Sequence, residues 1–114
     1  MKIKVEYVHG VIVVEVKGDI TGGPDAIKLQ DKIKELINEG QKKIVLDISH
    51  VHRINSSGIG VLISSLTSAK NAGGDLKLYG VNKHIENLLT ITRLITVFEH
   101  YEDKDEAIKS FQEE

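Results

Sequence analysis

Ser56 and Ser57 stand between Asn55 and Gly58-Ile59-Gly60, with Asp47, His50 and His52 shortly upstream. A serine hydroxyl attacks a substrate when a base takes its proton, an acid orients that base and oxyanion donors receive the developing charge. His52 beside Ser56 supplies only the base, so a small Ser-dependent hydrolase is the weakest of the readings considered. Asp47, near the end of an apolar run, has the place of a phosphoacceptor carboxylate with a Mg²⁺ ion. That chemistry needs further acids at the end of a neighbouring strand, and Lys17-Gly18-Asp19 offers one at most. Asp47 is therefore expected to hydrogen-bond the loop backbone that follows it. The histidines His9, His50, His52, His84 and His100 never flank a Glu at helical spacing, so no metal site is expected. There is no G-x-x-x-x-G-K-[ST] loop and no G-x-S-x-G elbow, and Gly58-Ile59-Gly60 lacks the third glycine of a dinucleotide fingerprint. No catalytic residue, metal or cofactor is expected.

The serine pair opens a helix pattern, where free amides and the positive end of the helix dipole point. Two readings are open, and spacing alone favours the first. Ser56 or Ser57 is the N-cap, or one hydroxyl is a regulated phosphoacceptor. A phosphate at a helix start gains about 0.3–1 kcal/mol from that terminus and adds about 1.5 to 2 negative charges to the surface. Gly58 and Gly60 cost the helix about 1 kcal/mol each against alanine, which predicts that another backbone or a partner comes close there.

The elements that must position this segment follow from periodicity. Ile3, Val5 and Tyr7 alternate with Lys2, Lys4 and Glu6, and Val11–Val16 is a β-branched run, with His9-Gly10 between them. A two-residue connection predicts an antiparallel hairpin. Gly18–Asp25 reads as a loop and Asp25–Glu39 as a helix that presents Ala26, Leu29, Ile33, Leu36 and Ile37 and stops at Gly40. Ile44–Ile48 reads as a strand buried on both faces. After the Ser49–Asn55 loop, Ile59, Leu62, Ile63, Leu66 and Ala69 mark a second helix that ends at Gly73-Gly74. Leu76–Tyr79 is a strand, Asn82–Thr92 a helix capped by Asn82, Thr96–Glu99 a last short strand, and a final helix starting at Asp103 uses Ala107, Ile108 and Phe111. The order is ββαβαβαβα, an α/β mixed sheet with an N-terminal antiparallel strand pair, parallel later strands and helices packed against it.

Composition sets the bounds. The chain has 114 residues, the size of one domain over 1–114, and is 40% hydrophobic and 28% charged. Fifteen basic against seventeen acidic residues give a net charge of −2, without the excess that nucleic-acid binding uses. There is no cysteine, which excludes a disulfide framework and suits a reducing cytoplasm. Charges at every second residue of Met1–Glu6 leave no signal-peptide core. The apolar stretch Ile54–Ala69 holds Asn55, two Gly and several Ser, so membrane insertion is not expected.

With these elements around it, Ile44–Leu66 resembles the STAS family, the fold of bacterial anti-sigma factor antagonists, and the likeness extends over essentially the whole chain. It includes Val16-Lys17-Gly18-Asp19-Ile20, Val45-Leu46-Asp47-Ile48-Ser49, Ile54-Asn55-Ser56-Ser57-Gly58-Ile59-Gly60-Val61-Leu62, Gly73-Gly74-Asp75-Leu76 and Leu88–Phe98. The resemblance implies that Ser56, the first serine of the pair, is phosphorylated by an anti-sigma factor with serine kinase activity, and that a Ser/Thr phosphatase reverses this. It implies partner contacts from Asp19, Thr21, Asn55, Ser57, Gly58 and Gly60. Asn55 and Thr21 stand where the family often has Asp, and both are neutral. The alternative within the same fold is an accessory STAS subunit of a membrane transport complex.

Overall fold

A computed structural model describes residues 1–112. β1 (Lys2–Val8) and β2 (Val11–Lys17) form the expected antiparallel hairpin, with Val8 opposite Val11. His9 (φ 51°) and Gly10 (φ 80°) are both left-handed, the type I′ turn whose twist matches that of the strands. α1 (Gly23–Asn38) then leads to β3 (Lys43–His50), α2 (Ser56–Asn71), β4 (Asp75–Tyr79), α3 (Lys83–Ile91), β5 (His100–Tyr101) and α4 (Lys104–Gln112). The five strands lie in the order β1-β2-β3-β4-β5, parallel from β2 onward.

Alternation along the strands divides the core in two. Ile12, Val14 and Val16 of β2, Ile44, Leu46 and Ile48 of β3, and Leu76 and Leu78 of β4 bury one face under α1, α2 and α3. Their neighbours Val11, Val13 and Val45 face the other way, beneath Ala107, Ile108 and Phe111 of α4. β3 is thus covered on both sides, which is why Ile44–Ile48 reads as an almost unbroken apolar run. Its one acid, Asp47, is 4% exposed and accepts hydrogen bonds from the Ser49 amide (3.0 Å) and the Ser49 hydroxyl (2.6 Å). Between the pairs Glu15–Asp47 and Lys17–His50, β3 carries one more residue than β2. Asp47 partners the amide at this irregularity, the structural role expected of it.

Four points differ from the sequence reading. β3 runs on through His50, into the expected Ser49–Asn55 loop. Thr96–Glu99 is not the last strand: Val97 N–H closes a turn on the Leu94 carbonyl, Phe98 is buried as a plug, and β5 is only His100–Tyr101. The β-favouring Thr-Val-Phe run loses to the turn that ends α3, where Arg93 is left-handed (φ 62°) and Leu94 N–H reaches the Leu89 carbonyl (2.7 Å). α1 begins two residues early, at Gly23 with Pro24 in its first turn. The cap of α2 is Asn55, not a serine. Asn82 caps α3 as expected, accepting from Ile85 N–H (2.8 Å), and Asp103, expected as the first residue of the last helix, precedes α4 and accepts from Asp105 N–H (2.8 Å).

Candidate functional site

The ends of β2 and β3 send two loops across the same edge of the sheet, and a short parallel bridge joins them. Ile20 N–H donates to the Arg53 carbonyl (3.0 Å), Asn55 N–H to the Ile20 carbonyl (3.3 Å) and Gly18 N–H to the His50 carbonyl (3.3 Å). Asp19 adds a side-chain tie, accepting from Arg53 N–H at 3.1 Å. Ile20 and Ile54 are buried beneath this bridge, so the loops rest on the core.

Asn55 links these loops to the helix. Its Oδ1 accepts from Gly58 N–H (2.9 Å), the N-cap bond of α2, and its Nδ2 donates to the Thr21 carbonyl (2.5 Å). A carboxylate could make only the first of these bonds. The neutral residue at 55 thus ties the loop before α1 to the start of α2. Ser56 and Ser57 are then the first two residues of the helix proper, both exposed. Ser56 Oγ makes no hydrogen bond with any described residue, and neither His50 nor His52, both exposed, reaches it. The amides of Ser56 and Ser57 lie ahead of the capped Gly58 N–H and also lack an acceptor among the described residues. No acidic side chain stands in this first turn.

The two glycines have different causes. A Cβ on Gly58 would strike the Ile20 carbonyl oxygen and sit 2.7 Å from Ile54 Cγ1. The close backbone expected there is the chain's own. Gly60 has nothing within 4 Å of such a Cβ and is exposed, leaving a gap in the helix surface just beyond Ser56 and Ser57.

The candidate residues Asp19, Thr21, Asn55, Ser57 and Gly58 are thus joined through the paired loops, with exposed Ser56 and Gly60 beside them. One contributor, Gly22, was not singled out in the sequence, and another, Asn82, was read only as a helix cap. Gly22 lies against Ser57, where a Cβ would come within 2.9 Å of the serine Cβ. Asn82, besides capping α3, donates from Nδ2 to the carbonyls of Val51 (3.0 Å) and His52 (3.3 Å), bracing the second loop from behind. Its cap role is legible in sequence, whereas the reach of its amide across thirty residues is not. Among the described residues no cluster of His, Asp and Glu could hold a metal, and no helix is long and apolar enough to cross a membrane.

The sheet and the loop-braced helix start define a small α/β protein whose accessible chemistry is a pair of serine hydroxyls at a helix N-terminus. The STAS domain family profile matches residues 2–107, and the chain belongs to that family. A Thermotoga neapolitana protein named as a candidate anti-sigma factor antagonist is 35% identical over 78 residues, 68% of this chain and 69% of that one. The crystal structure of another such candidate, from Thermotoga maritima, matches with a TM-score of 0.88 at 25% identity, over 95% of this chain and 92% of the other. The anti-sigma factor antagonist SpoIIAA shares the fold at 16% identity. Its unphosphorylated form covers 97% of this chain and 98% of its own, with a TM-score of 0.74. The phosphorylated form, from Bacillus, also matches with a TM-score of 0.74.

Proposed function

We propose that residues 1–114 form one cytoplasmic interaction domain, an anti-sigma factor antagonist whose binding is switched by phosphorylation of Ser56. Unphosphorylated, it binds an anti-sigma factor with serine kinase activity and so frees a sigma factor for transcription. The kinase brings ATP and Mg²⁺, phosphate on Ser56 ends the binding, and a Ser/Thr phosphatase restores it. The chain itself is not an enzyme. The carrying observation is the exposed Ser56 hydroxyl at the first position of α2, beside two amides without acceptors. Related proteins carry the antagonist name, and one of the same fold is known in phosphorylated and unphosphorylated forms.

The proposed contact surface is Asp19, Thr21, Asn55, Ser57 and Gly60 around that hydroxyl; Gly58, expected there too, is buried against Ile20 and seats the loop beneath them instead. A phosphate here suits its own helix, because the N-terminus favours negative charge, and acts on the partner instead. It adds charge that must be desolvated at an interface matched to a neutral hydroxyl.

The test pairs binding titrations against the anti-sigma factor kinase with phosphosite mapping after incubation with ATP and Mg²⁺. Ser56→Asp is expected to keep the fold and weaken binding. Ser56→Ala is expected to bind and resist switching, while Ser57→Ala is still modified. Phosphate mapped to Ser57 would refute the residue assignment. Absence of modification in the wild type, with modification gained by Asn55→Asp, would make the chain an unswitched binding module.

A further inference from the structure

β1 is an edge strand, and its free side has a definite hydrogen-bonding pattern. A two-residue type I′ turn closes on a hydrogen-bonded pair, here Val8 with Val11. Alternation then directs the main-chain groups of Lys2, Lys4 and Glu6 toward β2. The N–H and C=O groups of Ile3, Val5 and Tyr7 face outward, where the sheet has no further strand among the described residues. The side chains of Ile3 and Val5 lie on the α1 face, partly buried against the core. Tyr7, on the same face, is 62% exposed, and its hydroxyl receives a hydrogen bond from Gln41 Nε2 at 3.5 Å.

We propose that β1 pairs with β1 of a second copy, antiparallel about a two-fold axis through Val5. Charge selects this register. With Val5 opposite Val5, Lys4 faces Glu6 of the other copy twice, at the non-hydrogen-bonded positions where strands come closest. A two-residue slip one way sets Lys4 against Lys4, and a slip the other way sets Glu6 against Glu6. In the chosen register Val5 meets Val5 and Ile3 meets Tyr7 on either side, with outward main-chain groups that form roughly six hydrogen bonds.

The side chains agree with this register. A groove of about 700 Å³ runs between Ile3 and α1, lined by Pro24, Ile27 and Asp31, and Ile27 is 57% exposed. Tyr7 of the second copy, placed opposite Ile3, falls beside that groove and covers the two exposed apolar side chains together. Edge lysines ordinarily discourage strand addition. Here one lysine is matched by a glutamate two residues on, so the edge repels other strands and other registers while accepting itself. The seam lies two strands from β3 and its following helix, and the pairing is independent of what binds at Ser56.

Sedimentation equilibrium over a concentration series tests the pairing. The wild type is expected to move from 12.6 kDa toward twice that mass. Lys4→Glu and Glu6→Lys, each creating two like-charge contacts, are expected to weaken the dimer at least about tenfold. An equimolar mixture of the two regains it as a heterodimer, and the double exchange Lys4→Glu/Glu6→Lys regains it as a homodimer. A wild type that stays at monomer mass at millimolar concentration would overturn the proposal. So would single variants that dimerise like wild type, or a folded double exchange that does not dimerise. Lys4 neighbours Glu15 and Glu6 pairs with Lys104. If either single variant fails to fold, Tyr7→Ser decides the matter: it is expected to melt like wild type when dilute and to lose the dimer, and an undiminished dimer would refute the seam.

Discussion

Replacing Gly58 by alanine sets a gain in helix propensity against a steric loss whose geometry is defined. In an open helix the change would stabilise by about 1 kcal/mol. Here the added methyl would strike the Ile20 carbonyl oxygen and come within 2.7 Å of Ile54 Cγ1 and 3.0 Å of the Ile20 carbonyl carbon. That backbone cannot swing aside freely, because Ile20 N–H and C=O are both engaged, with Arg53 and Asn55. Overpacking against a fixed neighbour costs about 1–3 kcal/mol, and displacing Ile20 also loses the Asn55 N–H bond, about 1 kcal/mol more. Gly58→Ala is therefore expected to lower stability by about 1–3 kcal/mol net. Gly60→Ala, two residues further along the helix with open space around it, is expected to raise stability by about 0.5–1 kcal/mol. Urea unfolding followed by far-UV circular dichroism measures both, with midpoints moving in opposite directions at constant slope. If Gly58→Ala stabilised the protein as Gly60→Ala does, the packing of the Ile20 loop on α2 would be refuted.

Ser65 is 2% exposed and its hydroxyl has no hydrogen-bond partner among the described residues; Ser65→Ala is expected to stabilise by about 1 kcal/mol, raising the melting temperature by about 4 °C. Leu62, fully buried on α2, is expected to cost about 2–5 kcal/mol as alanine, which the same urea titration reads. Asn55→Ala removes the helix cap and the tie to Thr21, for a loss of about 1 kcal/mol or more, and amide exchange at Ile20–Gly22 is expected to accelerate.

The sheet was legible because its signals are local. The hairpin follows from two β-branched runs and His9-Gly10, and β3 from an apolar run too continuous for a half-exposed strand. The cap at Asn82 follows from residue type and position. Where the reading failed, a tertiary partner decided between two local options. Thr96–Phe98 has strand propensity, but the turn closing α3 claims its backbone and burial claims Phe98. Asn55 and Ser56 are both good caps. The choice fell to Asn55, whose amide has a second partner, the Thr21 carbonyl, thirty-four residues away in sequence. At the site, the glycine pair announced a close approach, but sequence alone could not separate Gly58, which meets the chain's own Ile20, from Gly60, which meets nothing.

Strand order in the sheet equals strand order in the chain, and this shapes how the molecule is made. As synthesis proceeds from the N-terminus, each new strand finds its neighbour already laid down, and no slot must be held open for a later arrival. α1, α2 and α3 emerge between strands and cover their face as it grows. The opposite face has no such cover: Val11, Val13 and Val45 await Ala107, Ile108 and Phe111, which come only with α4. A nascent or truncated chain ending before Lys104 would therefore present a paired sheet with one bare apolar side, the form of the protein most exposed to chaperones and to aggregation.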